Sequence, residues 1–248
     1  LNMVVLQINN LTKSFKGLLA VSNFSFDINQ EEVLGLMGPN GAGKTTVINL
    51  ITGFLKPDSG TISWHNENIV GLKPYKIVHR GIARTFQQAR VFPNISIFDN
   101  IFVSLSQSNR MRFSSATDPK QRVLDIFKFV NMKTSPSILA RELPQDELRR
   151  LEIARAIASD PELILLDEPV SGLTPDESDS ITNIITRLNK EGITLVIIEH
   201  VMRMLMKVSH RLVVMSNGMK LSEGTPEKVR NDPLVAEAYL GKEEEDFA

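Results

Sequence analysis

Along the first third of the chain, short hydrophobic runs and runs that alternate with polar residues follow one another, with turn residues between them. Residues 4–8, 24–28 and 33–37 have this pattern, which is typical of β-strands. Residues 61–64 indicate a further strand, and residues 47–54 indicate a helix. We therefore expect an antiparallel β lobe at the beginning of the chain, with one strand that leads into a helix.

The spacing of hydrophobic residues becomes helical in the middle of the chain. Two sets of residues each share a helical face: Ile97, Ile101 and Leu105, and then Val123, Ile126, Phe127 and Val130. Residues 107–120 are polar and rich in serine, which indicates a loop between the two helices. We expect a separate helical subdomain over about residues 87–159.

In the last part of the chain, predicted helices alternate with predicted strands. The helices cover residues 148–159, 177–190 and 201–207, and the strands that follow them cover 163–167, 193–198 and 211–215. This alternation favours a parallel sheet built from βαβ units. With 248 residues, 42% of them hydrophobic, the chain can bury a sizeable core. We expect one domain whose catalytic core spans about 1–86 and 160–248, with a solvated acidic tail at 243–246.

Charge and composition narrow the classes of function. The 28 basic and 29 acidic residues give a formal net charge of -1, so nothing suggests a nucleic-acid-binding protein. Cysteine is absent from the sequence, which excludes disulfides and thiolate metal sites. No apolar run reaches the ~18–20 residues that cross a bilayer, and residues 1–10 lack the pattern of a secretory signal. We expect a soluble chain that works at a membrane only through other chains.

The strand at 33–37 leads into residues 38–45, which match the phosphate-binding pattern G-x-x-x-x-G-K-[ST]. Backbone N–H groups of such a loop wrap a phosphate closely, and glycines leave the room that this requires. The helix that follows points its positive end at the anion. The motif predicts that Lys44 reaches the β- and γ-phosphates of ATP and that Thr45 ligates Mg²⁺, with a further hydroxyl from Thr46. The other loop residues predicted to bind the nucleotide are Gly38, Asn40, Gly41, Ala42 and Gly43.

The apolar segment 163–166 ends in two carboxylates, Asp167 and Glu168. Such a pair commonly does no more than enter a solvated turn. In enzymes with a phosphate loop, however, a carboxylate at the end of a neighbouring strand holds Mg²⁺, which predicts that role for Asp167. Glu168 then lies where it orients and polarises the attacking water as a general base.

The order of the motifs resembles that in the ATP-binding subunits of ABC transporters, over about residues 4–241. The family's elements match as Walker A at 38–46, the Q-loop at Gln87, the signature at 143–151, Walker B at 163–168 and the switch histidine at His200. The resemblance implies an α/β fold, the ABC type of P-loop NTPase. This fold has a mixed core sheet with flanking helices, an antiparallel β lobe and a helical subdomain.

The resemblance also implies roles for individual residues. Phe15 stacks on adenine, unless it is an ordinary core residue of the lobe, and Val21 also contacts the nucleotide. Gln87 contacts Mg²⁺ and senses the γ-phosphate, with the adjacent Gln88 as the alternative assignment. His200 contacts the γ-phosphate and positions the attacking water, unless it is a plain surface or core histidine. The expected catalytic residues are Lys44, Glu168 and His200.

The signature departs from the family's Leu-Ser-Gly-Gly-Gln consensus, because residues 143–146 are Leu-Pro-Gln-Asp. In an ABC dimer, the signature of one subunit caps the ATP of the other with hydroxyl and N–H donors. Pro144 offers neither donor, and the carboxylate of Asp146 repels a phosphate, although it suits an N-cap of the following helix. We therefore expect this chain's signature to cap the ATP of its partner only weakly. In a heterodimer, the site that carries Glu168 would still hydrolyse ATP, because it uses the signature of the partner. Thr174 stands for the usual Asp or Asn of the D-loop, which is a mild departure.

Several stretches resemble importer subunits for branched-chain amino acids, the LivG type. They are residues 81–87, 149–156, 198–200, 223–233 and 237–241. Branches for urea transport and for lipopolysaccharide export share parts of the C-terminal stretch. The sequence therefore leaves urea and lipopolysaccharide as alternative solutes. The resemblance implies transmembrane permease subunits, a second ATPase subunit in a homodimer or heterodimer, and indirectly a solute-binding protein. It also implies a location at the cytoplasmic face of the cell membrane and no nucleic-acid partner.

Two other functions remain open for this sequence. A soluble ABC ATPase of DNA repair or translation is one, although such chains usually carry two cassettes or a long coiled-coil insertion. A regulatory ATP-binding partner with little turnover is the other, favoured only by the altered signature. In the transporter, a groove near Gln87 is expected to receive the membrane subunits. Its candidate lining residues are Val91, Phe92, Pro93 and Ile95, whose alternative role is plain helical-subdomain core.

Overall fold

The computed structural model describes residues 3–87, 90–105, 113, 117–200 and 202–239. Gln88, Val201, most of the predicted loop at 107–120 and the predicted acidic tail lie outside these residues. None of the helices in the described part of the chain combines the length and the hydropathy that a membrane span requires.

Two sheets with flanking helices make up the fold. In chain order the strands of the described residues are β1 (Val4–Phe15), β2 (Leu18–Asn29), β3 (Val33–Met37), β4 (Ser59–Trp64), β5 (Glu67–Asn68), β6 (Ile82–Arg84), β7 (Leu163–Asp167), β8 (Thr194–Ile198), β9 (Arg211–Ser216) and β10 (Met219–Gly224). The α-helices of the same residues are α1 (Lys44–Ile51), α2 (Pro74–His79), α3 (Ile97–Phe102), α4 (Pro119–Phe129), α5 (Gln145–Ala158), α6 (Pro175–Lys190), α7 (Met202–Val208), α8 (Pro226–Arg230) and α9 (Pro233–Tyr239).

The first sheet is the antiparallel lobe that the sequence predicts, with the strand order β2-β1-β4-β5. Strands β1 and β2 extend beyond the predicted hydrophobic runs, because their polar residues continue the pairing as far as Phe15 and Leu18. A two-residue turn joins them, in which Lys16 and Gly17 both have positive φ angles, 47° and 87°. Such a turn matches the right-handed twist of the two strands, and it places Phe15 at the tip of a hairpin.

The second sheet has the order β10-β9-β3-β8-β7-β6. Its strands β9, β3, β8, β7 and β6 run parallel, as the βαβ pattern predicts, and β10 adds an antiparallel edge. Leu34 and Leu36 of β3 face the core shared with the lobe and α1, whereas Val33 and Met37 face the helices on the other side. Because β3 is covered on both faces, it is hydrophobic throughout.

The helical segment packs α3 and α4 against α5. The predicted helical faces are confirmed: Ile97, Ile101, Val123, Ile126 and Val130 are buried, and Leu105 and Phe127 pack half-buried against the same core. Several short elements were not predicted, because two to seven residues show too little periodicity. These are β5, β6, β10, α2, α8 and α9.

Candidate functional site

The phosphate loop begins where β3 ends and stops at the first residue of α1. A Cβ atom at Gly38 would lie 2.1 Å from the carbonyl oxygen of Met215, and one at Gly43 would lie 2.4 Å from that of Ala20. Both glycines also have positive φ angles, 148° and 106°. Neighbouring backbone therefore holds the loop in a shape that only glycine permits at these two positions.

The side chain of Lys44 folds back over the loop. Its Nζ donates hydrogen bonds to the carbonyl oxygens of Gly38 (2.7 Å) and Pro39 (3.0 Å). The ammonium group is thereby held inside the loop, where a phosphate would meet it. Of the other loop residues predicted to bind the nucleotide, Asn40, Gly41 and Thr45 are exposed, Gly43 and Thr46 are half-buried, and Gly38 and Ala42 are buried.

Asp167 ends β7 and is buried, with Arg84 as its partner. Nη2 of Arg84 donates a hydrogen bond to Oδ2 of Asp167 over 3.2 Å. Burial raises the pKa of the Asp167 carboxyl, and the nearby charge of Glu168 adds to this, whereas Arg84 and Lys44 lower it. Within the described ranges no partner contacts Oδ1 of Asp167. That oxygen is the atom the structure offers to a cation.

Glu168, the next residue, sits on a turn with a φ angle of 49°. Its backbone N–H donates to the carbonyl oxygen of Ile198 over 2.9 Å, which fixes the turn against the end of β8. Its carboxylate accepts a hydrogen bond from Nε2 of Gln87 over 2.9 Å. The structure therefore brings two predicted site residues, 81 positions apart, into direct contact.

His200 follows β8, and its side chain is half-exposed. Its backbone N–H donates to Oε2 of Glu199 over 3.3 Å, and Nδ1 lies 3.9 Å from the same oxygen. Glu199 is fully buried, and its Oε1 accepts a hydrogen bond from the N–H of Val170 over 3.0 Å. Glu199 thus joins His200 to the segment that follows Glu168.

The structure separates the two lobe residues predicted to bind the nucleotide. Phe15 is 42% exposed at the hairpin tip, with Nζ of Lys13 5.6 Å from its ring centroid. Val21 is completely buried and lies behind the phosphate loop, where its Cγ2 is 3.5 Å from a Cβ built at Gly43. The buried side chain of Val21 therefore packs against the loop, and its contact with a nucleotide stays a prediction.

Gln145 and Asp146 of the altered signature contact other residues of the same chain. Nε2 of Gln145 donates to the carbonyl oxygen of Ser171 over 3.1 Å. Asp146 is not an N-cap, as the sequence suggested, because the cap position is Pro144 and no side chain caps the helix there. Asp146 lies one turn before Arg150, whose Nε is 3.6 Å from its Oδ2.

Thr174, in the predicted D-loop, is the N-cap of α6. Its Oγ1 accepts from the N–H of Glu177, and the Glu177 carboxylate accepts from the N–H of Thr174, which forms a capping box. The substitution of Thr for the family's Asp or Asn therefore keeps a competent helix cap.

A groove of about 420 Å³ separates the core sheet from the helical segment near Gln87. Residues on both sides line it, among them Phe54, Tyr75, Val78, Phe86, Arg90 and Val103. The predicted lining residues Val91, Phe92, Pro93 and Ile95 do not belong to this surface. Val91 packs against the core of the helical segment, in keeping with the alternative that the sequence left open.

Sequence reasoning missed two residues of this region, Arg84 and Glu199. Each is a charged residue at one end of a short apolar strand, which is the only signal that the sequence carries. Their importance depends on contacts with Asp167 and Val170, which are distant in the chain.

A family model described as ABC transporter matches residues 21–171, more than half of the chain. The chain belongs to the ABC transporter family. It is an ATP-binding ATPase subunit of that family, as the phosphate loop and acid pair predict. A second family model, described as Branched-chain amino acid ATP-binding cassette transporter, matches residues 219–245 of this ABC subunit.

Curated relatives match the ABC subunit over nearly its whole length. It is 37% identical to the high-affinity branched-chain amino acid transport ATP-binding protein LivG of Salmonella typhimurium, over 96% of this chain and 98% of that protein. BraF of Pseudomonas aeruginosa, which has the same description, is 36% identical over the same shares. The lipopolysaccharide export system ATP-binding protein LptB of Haemophilus influenzae is 34% identical, over 97% of this chain and 99% of that protein.

Solved structures of ABC cassettes have the same fold. A nucleotide-free ATP-binding cassette superimposes with a TM-score of 0.85 at 31% identity, over 97% of this chain and 100% of that one. A cassette in its ADP conformation superimposes with a TM-score of 0.86 at 31% identity, over the same shares. The predicted ABC-type fold is thereby confirmed.

Proposed function

We propose that this subunit binds ATP with Mg²⁺ at the carboxyl edge of the core sheet and hydrolyses it to drive import of branched-chain amino acids. One observation carries the proposal. Strands β3, β8 and β7 are neighbours and parallel, so the phosphate loop, His200 and the pair Asp167 and Glu168 follow strand ends at one edge. Ligands of α/β sheets bind at this edge.

The donors at this edge suit Mg²⁺. Asp167 supplies a carboxylate oxygen, Thr45 a hydroxyl and Gln87 an amide oxygen, which are the hard ligands that Mg²⁺ takes beside phosphates and water. In the described residues, no group of three or more His, Cys, Asp or Glu side chains is placed to hold a metal ion. When bound, Mg²⁺ would supply positive charge that offsets the negative charge of the phosphates.

The chain's own residues then have separate roles around the nucleotide. Lys44, already held within the loop, turns its ammonium group to the β- and γ-phosphate oxygens. The carboxylate of Glu168 accepts the proton of the attacking water. His200 orients that water and contacts the γ-phosphate, with Glu199 buried behind it. Phe15 offers its exposed ring to adenine.

Replacing the proposed base tests this assignment. Glu168→Gln should lower ATP turnover about 10²- to 10⁴-fold, the range for a general base, and leave ATP affinity nearly unchanged. Glu162→Gln is a matched control, because Glu162 precedes the other end of β7 and its carboxylate contacts His65 (2.9 Å). Unchanged turnover in Glu168→Gln means that Glu168 is not the base.

The membrane partners follow from the same proposal. The subunit joins transmembrane permease subunits at the cytoplasmic face of the membrane, through the groove beside Gln87, and a solute-binding protein delivers the solute to the permease. The groove supports this docking because exposed apolar side chains line it, such as Tyr75, Val78 and Val103. Co-purification with permease subunits supports transport, whereas ribosomes or DNA in the purified material contradict it.

The second ATPase subunit is proposed to be a different chain with an intact signature. In this chain Gln145 donates a hydrogen bond to Ser171, and Asp146 lies close to Arg150. The carboxylate of Asp146 stands at the start of α5, where the signature would have to contact the γ-phosphate of the partner's ATP. ATPase activity should be weak for the isolated chain and rise when the partner subunit is added. Vigorous turnover by the homodimer contradicts this pairing.

The solute is inferred from the C-terminal match to residues 219–245 and from the branched-chain amino acid transport that the names of LivG and BraF describe. Inactivating the gene should abolish ATP-dependent uptake of labelled leucine, and the wild-type gene should restore it, whereas the gene for Glu168→Gln should not. The similarity to LptB makes lipopolysaccharide export the second candidate. Normal leucine uptake with defective lipopolysaccharide transport in the inactivated strain supports that candidate instead.

A further inference from the structure

Arg84 links three parts of the molecule that the proposed function treats separately. It ends β6, its side chain is only 7% exposed, and its Nη2 contacts Asp167. Its Nη1 donates to Oδ1 of Asn49 (2.7 Å) and to Oγ1 of Thr52 (3.2 Å), both at the end of α1. One guanidinium therefore fastens the helix that follows the phosphate loop to the strand that carries Asp167.

The same guanidinium forms part of the groove. Its Cζ lies 4.3 Å from the ring centroid of Phe86 and 5.5 Å from that of Phe54, and both rings line the groove with Arg84. The two rings pack edge-to-face with centroids 5.9 Å apart. Cations held over aromatic faces in this way are attracted by the ring quadrupole. A shift of either ring therefore acts directly on Arg84.

We propose that Arg84 is a positioning residue that couples the groove to the nucleotide site through its contacts with Phe86 and Asp167. The proposal rests on the proposed function, in which the groove receives the permease and Asp167 faces the nucleotide. An occupant that moves Phe86 shifts the guanidinium fork and with it Asp167 and the end of α1. By reciprocity, Mg·ATP at the site alters the groove.

A fluorescent label in the groove measures this coupling without measuring turnover. The chain has no cysteine, so Val78→Cys gives a single site for an environment-sensitive dye on the groove wall, where Val78 is 42% exposed. Titration with Mg·ATP should change the dye signal when Arg84 is present. In the Arg84→Met background the change should shrink at least about fivefold, within the range that coupling residues modulate.

Three further backgrounds separate coupling from a general loss of structure. Phe86→Leu removes the ring but keeps the Arg84–Asp167 pair, so it should also reduce the response of the dye to Mg·ATP. It replaces Arg84→Met in the test if Arg84→Met does not fold. Arg84→Lys keeps the charge without the planar fork, so it should restore the signal only in part. Arg90→Met is the matched control: Cζ of Arg90 also lies 4.3 Å from the Phe86 centroid, but Arg90 has no part in the Asp167 pair, so the response should persist.

The outcomes are distinct. ATP binding, measured separately by calorimetry, is expected in every background. If the labelled chain with Arg84 binds no ATP, the proposed function fails, and the coupling fails with it. If it binds ATP but the dye stays silent, or if Arg84→Met and Phe86→Leu respond fully, only the coupling is overturned. Loss of the response in Arg90→Met equal to that in Arg84→Met also overturns it.

Discussion

Gln87 holds the carboxylate of Glu168 through a hydrogen bond of 2.9 Å from Nε2 to Oε2. Gln87 follows β6 beside the groove, and Glu168 follows β7, the neighbouring strand of the sheet. The bond uses the amide N–H of Gln87. The side chain that is proposed to offer its amide oxygen to Mg²⁺ therefore also engages the proposed base.

Gln87→Ala removes both the hydrogen bond to Glu168 and the proposed Mg²⁺ ligand. The Mg²⁺ concentration for half-maximal ATP turnover should rise roughly tenfold, the equivalent of one hydrogen bond to a charged group. Gln121→Ala is the matched control, because Nε2 of Gln121 makes the same kind of bond, 2.9 Å to Asp125, in α4. An unchanged Mg²⁺ requirement in Gln87→Ala contradicts the role of Gln87 at the ion.

Phe15→Ala removes the ring proposed to stack on adenine. The affinity for ATP should fall about fivefold, since an aromatic stacking contact contributes on the order of 1 kcal/mol. Thermal stability should change little, because the ring is exposed. Leu18→Ala, on the same hairpin and 74% exposed, should leave the affinity unchanged. Equal ATP affinities of Phe15→Ala and the wild-type chain, measured by calorimetry, argue against stacking.

Asp58 holds the end of β1 that presents Phe15. Its carboxylate accepts hydrogen bonds from Nζ of Lys13 and the N–H of Ser14, both over 2.7 Å. The bond from Lys13, followed by that from Ser14, lowers the pKa of Asp58 from 3.8 to about 2. Because the pKa is lower in the folded chain, the carboxylate's stabilising contribution is complete above its ordinary pKa and is lost as the pH falls toward 2.

Asp58→Asn should therefore lower the Tm at neutral pH, and the gap to the wild-type chain should close as the pH falls from about 4 to about 2. Thermal unfolding followed by circular dichroism across this range measures the gap. A gap of constant size from neutral pH to pH about 2 contradicts the assignment, because it means that ionisation of Asp58 contributes nothing.

The elements that the sequence predicts correctly are those whose structure depends on residues nearby in the chain. Strands β3 and β7 have the predicted bounds, because each is a hydrophobic run that stops at a chemical motif. The phosphate loop is equally local, since Gly38 and Gly43 are required by backbone shape. Short elements such as β6 were missed, because three residues have no measurable period.

Contacts between residues of different strands and helices could not be predicted from the sequence. Arg84 reaches Asp167 because β6 and β7 pair in parallel with Arg84 opposite Leu165, and that register depends on the whole sheet. Asp146 was interpreted as an N-cap, but the capping position falls on Pro144, and the carboxylate turns to Arg150 one helical turn later. Val21, predicted to contact the nucleotide, is buried where the lobe packs against the loop.

Equilibrium titration of the purified chain with Mg·ATP measures whether the phosphate loop binds the nucleotide. We expect saturable binding by the wild-type chain and no loss of affinity in the exposed control Lys56→Ala. In Lys44→Ala the affinity should fall at least about tenfold, because a hydrogen-bonded charge is removed from the phosphates. An absence of Mg·ATP binding, or equal binding by the wild-type chain and Lys44→Ala, would contradict nucleotide binding at this loop.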